Sequence, residues 1–135
     1  MDWQAKLAWA GAEHERRLVA TLGPDEREDL RLAGIAGASW AAGLAALMLG
    51  DGKDAGARLR RAADEYRTSW DAAPGASWGR PIAMLRCRLI ASDTAGARTD
   101  ADAALAAGAL EAKGPIGGYC ASLALLVLGR DEEGQ

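Results

Sequence analysis

The sequence contains no phenylalanine and few of the residues that favour β-strands. Its valines, isoleucines and threonines together number ten among 135 residues. Strands are enriched in β-branched and aromatic side chains, so a sheet-based fold is poorly supported. Alanine and glycine account for 32 and 17 residues, and Ala, Leu, Arg and Glu all favour helix. The composition therefore predicts a single all-helical domain over residues 1–135, with five tryptophans supplying much of the core's bulk.

The chain also has few of the residues that catalytic and metal sites need. Its one histidine, His14, lies on the apolar stripe of a predicted helix, without a second histidine or a nearby cysteine. Cys87 and Cys120 do not form a close metal-type pair, and we expect two reduced, mostly buried thiols in a cytoplasmic protein. Acidic pairs such as Asp64 and Glu65 are typical of solvated helix faces. We therefore expect no enzyme activity, no metal and no cofactor.

The chain has only a small excess of charge of one sign. The net charge is −3, and the one basic cluster, at residues 58–61, fits a solvated helix face, so no nucleic-acid partner is expected. The first residues lack a basic segment followed by an apolar core, which argues against a secretory signal.

Nineteen residues, Leu32 to Gly50, carry no charge. Gly34 and Gly37 predict a break or bend in this run, which leaves a short helix from Ser39 to Leu49. A membrane span needs roughly 20 residues, so we expect this segment to lie in a core rather than in a membrane.

Apolar periodicity and Gly/Pro signals predict seven helices. The pattern at Ala55, Leu59, Ala62, Tyr66 and Trp70 is the clearest amphipathic one. The predicted helices cover residues 2–22, 24 to about 34–37, 39–49, 54–71, 81–91, 94–107 and 116–128.

An internal repeat connects these helices. The tetrapeptide AGAR occurs at residues 55–58 and again at 95–98, and LALLVLGRDEEG (123–134) matches LAALMLGDGKDAG (44–56) in character. A fixed period of roughly 40 residues, built from two helices, is typical of an α-solenoid. The repeat divides the chain into N-terminal helices (1–37), a first repeat (38–74), a second repeat (78–108) and a partial third repeat (116–135).

These repeats resemble the tetratricopeptide (TPR) family. Gly43, Ala83 and Ser122 resemble the small residue at which the family's first helix packs closely, and Leu49-Gly50-Asp51 resembles the turn that follows it. The second helix of the repeat resembles the family's at four positions: Ala55, Ala95, Leu59 and Ala62. The resemblance implies antiparallel helix pairs stacked as a short TPR-like α-solenoid of about six to seven helices.

The resemblance also implies where a partner binds, because the first helix of each TPR repeat lines a concave face. Residues of the types enriched at binding hot spots would lie there, and the two arginines among them suit a carboxylate or an acidic peptide. The residues expected to bind a partner are Trp40, Leu44, Arg80, Met84, Arg88 and Tyr119.

Two functions remain open at this point. The first is a protein–protein interaction module that binds a peptide or protein segment on the concave helical face. The second is a small-molecule sensor or carrier with a pocket between Ala-rich helices. The C-terminal helix is apolar on most sides, so either the N-terminal helices fold back over it or another chain covers it. We expect self-association through this helix as a homo-oligomer.

Overall fold

The protein is described by a computed structural model that covers residue 6, residues 28–75 and residues 77–129. These ranges contain α-helices and one short 3-10 turn, and no strand, so the all-helical class is confirmed for them. The elements are α1 (Glu28–Met48), α2 (Gly52–Ala72), α3 (Gly79–Ile90), α4 (Thr94–Ala106), the 3-10 turn (Ala109–Glu111) and α5 (Pro115–Val127). The helix predicted over residues 2–22, with His14, lies outside the described residues.

The helix break predicted at Gly34 and Gly37 is wrong. α1 continues through both glycines to Met48, so the described residues hold five helices where six were predicted from residue 24 onward. The boundary drawn between residues 37 and 38 falls inside α1. Gly34 is buried, and a Cβ on Gly37 would lie 3.7 Å from the Tyr66 hydroxyl oxygen. The 3.7 Å distance is an ordinary van der Waals contact, and the helix keeps its course through both glycines.

α1 is longer than the helix predicted over residues 39–49. The charge-free segment is therefore no longer too short to cross a membrane. By length and composition alone α1 passes as a membrane span, with 33% of its most apolar 18-residue window buried inside the fold. The core helix of a soluble protein and a signal sequence pass the same test.

Consecutive helices pack side by side in antiparallel pairs. The Ser69 hydroxyl near the end of α2 donates a hydrogen bond to the Asp29 carbonyl at the start of α1, with 2.6 Å between the oxygens. At the other end of this pair, a Cβ added to Gly43 would lie 2.8 Å from the Leu59 side chain. α3 packs against α2, α4 against α3, and α5 against both α4 and α3.

The turns that start α2 and α4 are built alike. Asp51 and Asp93 are N-caps whose carboxylates accept a hydrogen bond from the backbone N–H three residues later. Each follows a residue in the left-handed region, Gly50 at φ 84° and Ser92 at φ 59°. Along the sequence, the separation between Asp51 and Asp93 is two residues longer than the separation between the two AGAR copies.

The AGAR match is therefore out of register with the structure by two residues. Ala55 is buried whereas Ala95 is exposed, and it is Ala97 that occupies the buried position on α4. The capping aspartates and the left-handed residues before them set where each helix starts. Because of the two-residue shift, Ala97 faces inward on α4 where the AGAR match would place Ala95.

The core is thin and rich in small side chains. Trp70 supplies its bulk at one end, where it packs with Ile82, Met84 and Cys120. Cys87 and Cys120 are both buried and free. Burial raises the pKa of Cys87 to about 12 and that of Cys120 to about 11, so both thiols are protonated at physiological pH.

Candidate functional site

Arg80, expected on the binding face, is buried in an ion pair. Its Nη2 lies 2.7 Å from Oδ2 of Asp29, and the two side chains are 7% and 6% exposed. The pair joins the first turn of α3 to the first turn of α1. Arg80 Nη1 has no hydrogen-bond acceptor in the described part of the chain. Because Arg80 is buried, a second protein cannot reach this nitrogen.

Arg88, the second expected carboxylate-binding residue, is held by three aspartates. Its Nε lies 3.0 Å from Asp100, its Nη1 lies 3.2 Å from Asp93 and its Nη2 lies 2.7 Å from Asp64. Burial is the largest single influence on the pKa of Arg88 and lowers it, but the hydrogen bonds to Asp100 and Asp64 and the attraction of their charges together raise the pKa above its ordinary value. Every nitrogen of this guanidinium is used inside the fold, so Arg88 joins α2, α3 and α4.

The other four expected residues lie in different surroundings. Met84 is fully buried in the core, and Leu44 is half-buried. Tyr119 is 55% exposed on α5. Trp40 is half-buried and packs against Ala62, Ala63 and Cys87. The structure therefore does not bring the six residues together on one open face.

A different arginine meets Trp40 at the surface. The exposed side chain of Arg86 lies over the Trp40 ring, with its Cζ 5.3 Å from the ring centroid, which is within cation–π distance. Tyr66 from α2 and Ala83 from α3 complete the walls. We call this junction of α1, α2 and α3 the Trp40–Arg86 cleft.

Arg86 and Tyr66 bring hydrogen-bond donors to the Trp40–Arg86 cleft that have no acceptor among the described residues. Among the residues that the structure describes, no carboxylate forms an ion pair with Arg86, and the Tyr66 hydroxyl makes no hydrogen bond. The neighbouring carboxylate of Glu65 already accepts a hydrogen bond from Ser39 and lies 3.6 Å from Arg61. Burial raises the pKa of Tyr66, so its hydroxyl stays a neutral donor. The cleft thus offers an aromatic wall and donors suited to an acceptor.

The cleft is small. Its cavity volume is about 60 Å³, whereas ligand pockets for drug-sized molecules hold roughly 300–1,000 Å³. A single side chain fits such a volume better than a complete small-molecule ligand does.

Sequence reasoning missed Arg86, Tyr66 and Ala83 as a group. Arg86 stands two residues before Arg88, and composition cannot tell which of the two faces solvent. The available signal was the pattern of α3, in which Pro81, Met84, Leu85 and Arg88 share the inward side. This spacing places Ala83, Arg86 and Ile90 together on the other side.

The described residues contain no group of three or more His, Cys, Asp or Glu that could hold a metal ion. Comparisons with protein-family models, with curated proteins and with solved structures found no match.

Proposed function

We propose that this chain is a protein–protein interaction module that binds a segment of a partner protein in the Trp40–Arg86 cleft. The observation that carries the proposal is an exposed guanidinium stacked on a tryptophan, with no carboxylate paired to it in the part of the chain that the structure describes. Arginine and tryptophan are among the residues most enriched at binding hot spots.

The chemistry of the cleft favours a carboxylate that stands next to an apolar side chain. Stacking on Trp40 orients the Arg86 fork in advance, and a planar fork binds a carboxylate through two parallel hydrogen bonds. Tyr66 adds a neutral donor, while Trp40 and Ala83 offer apolar surface to the neighbouring side chain. An acidic peptide segment with an aliphatic or aromatic residue beside its Asp or Glu meets these requirements.

We also propose that the helix pairs stack as a short TPR-like array. Support comes from contacts between alternate helices: Asp29 of α1 pairs with Arg80 of α3, and Arg67 of α2 lies 3.1 Å from Asp100 of α4. α3 and α5 also pack together. In such an array α1, α3 and α5 are the first helices of successive repeats, and the Trp40–Arg86 cleft lies where α1 and α3 meet.

The test is a selection of peptides from a random displayed library on the immobilised full chain. We expect enriched sequences to carry Asp or Glu beside an aliphatic or aromatic residue. Arg86→Glu should weaken the binding of these peptides by about tenfold or more, because a charge-assisted hydrogen bond contributes about 1.5–3 kcal/mol.

The matched control is Arg98→Glu, which changes the charge equally at an exposed position on α4 and should leave peptide binding unchanged. Changing the selected peptide's Asp or Glu to the amide should weaken binding to the wild-type chain but not to Arg86→Glu. Equal binding by both arginine variants would show that the cleft is not the binding site.

A further inference from the structure

The Trp40–Arg86 cleft continues as an apolar groove between α1 and α3. Arg86 and Ile90 are one helical turn apart on the same side of α3, and Ile90 is 42% exposed. On α1 the same step leads from Trp40 to half-buried Leu44, and Leu47, which is 45% exposed, follows on the same side. Single exposed apolar side chains are ordinary, whereas a group of them beside a polar site is typical of an interface. We call Leu44, Leu47 and Ile90 the apolar end of the groove.

α1 and α3 run in the same direction along this groove. The Asp29–Arg80 ion pair joins their first turns, and Arg86 lies over Trp40 farther along both helices. Both side chains of the ion pair are buried, so a bound segment has no groove to follow at that end. A segment seated in the Trp40–Arg86 cleft therefore continues in the other direction, towards the apolar end.

The position of Arg86 decides what covers the apolar end. A charge-free surface alone fits any apolar partner, but this one begins at an exposed guanidinium that pairs with no carboxylate among the described residues. A segment that places Asp or Glu on Arg86 brings the residues near that acid over the apolar end. A purely apolar partner would instead remove Arg86 from water without supplying a carboxylate, which is unfavourable.

The length of the groove sets the spacing within such a segment. At a rise of about 1.5 Å per residue, Arg86 and Ile90 are about 6 Å apart along α3, and Trp40 and Leu47 are about 10 Å apart along α1. An extended chain advances about 3.3 Å per residue. An apolar side chain two or three residues from the acid therefore reaches the apolar end.

We infer that the partner segment is held at two points, by its Asp or Glu on Arg86 and by a second apolar side chain against the apolar end of the groove. The second apolar side chain lies two or three residues from the acid, beyond the apolar neighbour that fills the Trp40–Arg86 cleft. This inference rests on the proposed function and specifies its partner more closely, as an extended acidic–apolar segment that runs towards the ends of α1 and α3.

A displayed peptide library on the immobilised full chain tests the spacing. The library keeps a central Leu-Glu-Leu core fixed and leaves the flanking positions random, so that every peptide contains the acid and an apolar neighbour on either side. We expect a further aliphatic or aromatic residue to be enriched two or three positions from the Glu. It should be enriched on one side only, because the groove continues in one direction. Peptides without such enrichment would overturn the inference.

Ile90 and Leu89 offer a matched pair of variants. They are neighbours on α3 with similar exposure, 42% and 45%, but Leu89 is turned by about 100° from Ile90 and away from Ala83. Ile90→Ser should weaken the binding of an enriched synthetic peptide about fivefold or more, because it removes apolar surface that the peptide covers. Leu89→Ser should leave the binding unchanged. Alanine in place of the peptide's second apolar residue should weaken binding to the wild type, with little further effect on Ile90→Ser.

The proposed function and this inference fail in different ways. If Arg86→Glu and the control Arg98→Glu bind the peptide equally, the Trp40–Arg86 cleft is not the site, and the second contact is wrong with it. If Arg86→Glu weakens binding while Ile90→Ser and Leu89→Ser bind alike, the cleft stands and only the second contact is wrong.

Two other occupants of the apolar end would give different results without any peptide. If another part of this chain covers it, Ile90→Ser should lower the urea midpoint clearly more than Leu89→Ser does. If a second copy covers it, Ile90→Ser should lower the average mass in sedimentation equilibrium, whereas Leu89→Ser should not. We expect similar midpoints and equal masses for the two variants, and either difference would overturn the inference.

Discussion

Asp100 binds two arginines from two different helices and is almost fully buried. Its Oδ1 lies 3.1 Å from Arg67 of α2, and its Oδ2 lies 3.0 Å from Arg88 of α3, while Asp100 itself belongs to α4. A buried carboxylate is costly unless it is paired in this way. Asp71, by contrast, pairs with Arg67 while its side chain is 61% exposed.

Asp100→Asn should therefore cost much more stability than Asp71→Asn. We expect a loss of about 2–4 kcal/mol for Asp100→Asn, because an amide NH2 group replaces one of the two buried carboxylate oxygens that accept from Arg67 and Arg88. Asp71→Asn removes a solvent-screened pair and should cost about 1 kcal/mol or less. Urea unfolding followed by tryptophan fluorescence measures both, and equal losses would contradict the structural role of Asp100.

The arginines of α3 show what sequence reasoning can and cannot do at the residue scale. Arg80 and Arg88 were expected to suit a carboxylate, and both pair with aspartates. Those partners come from the fold itself, and some of them are distant in the chain, as Asp29 is from Arg80. A residue's exposure to a partner protein is thus decided by contacts that no local pattern encodes.

At the scale of the elements, α1 and α2 approach closely because of one glycine. A Cβ at Gly43 would lie 2.8 Å from two carbons of the Leu59 side chain and 3.3 Å from the Leu59 backbone nitrogen. Leu59 is itself buried, so neither it nor the backbone has room to move. Gly56 is also helical, yet a Cβ there would meet nothing within 4 Å.

Gly43→Ala and Gly56→Ala should consequently change stability in opposite directions. Gly43→Ala overpacks the helix contact and should destabilise the protein by about 1–3 kcal/mol. Gly56→Ala should stabilise it by about 0.5–1 kcal/mol, because alanine loses less backbone entropy in a helix. Thermal unfolding by circular dichroism checks both signs, and stabilisation by Gly43→Ala would rule out the close approach.

The predicted helix bounds were good where local signals were strong. The prediction of 54–71 compares with Gly52–Ala72 for α2, and 94–107 compares with Thr94–Ala106 for α4. Asp51 and Asp93, which cap these helices, act within a few residues of themselves, so their effect can be read locally. The break at Gly34 and Gly37 failed because a glycine in a helix costs only about 1 kcal/mol, which packing against other helices offsets.

At the scale of the whole molecule, the two buried thiols make stability depend on pH. The pKa of Cys87 is raised by burial from 9.0 to about 12, and that of Cys120 from 9.0 to about 11. The unfolded chain loses these protons near pH 9, whereas the folded chain retains them to higher pH. Their contribution is therefore fully present below pH 9 and is lost as the pH rises from there towards 11–12.

We expect the urea midpoint to fall as the pH rises from 8 to 10, and the fall to be smaller in Cys87→Ala/Cys120→Ala. Alanine at both positions lowers the stability at every pH, so the slope with pH is the quantity to compare. In the native wild-type chain both thiols should react slowly with a thiol reagent at pH 8. Rapid reaction there, or an identical pH slope in the double variant, would contradict their burial.

The sequence alone determined the helical class and most helix limits in the described part of the chain, because propensity, capping and Gly/Pro punctuation act over a few residues. Only the tertiary structure decided the register between repeats and the unbroken course of α1. It also decided that Arg86, and not Arg80 or Arg88, is the exposed cation that stacks on Trp40. These features depend on contacts between helices that are distant in the sequence. The turns capped by Asp51 and Asp93 set where α2 and α4 begin. The buried aspartates then fix which side of each helix faces inward.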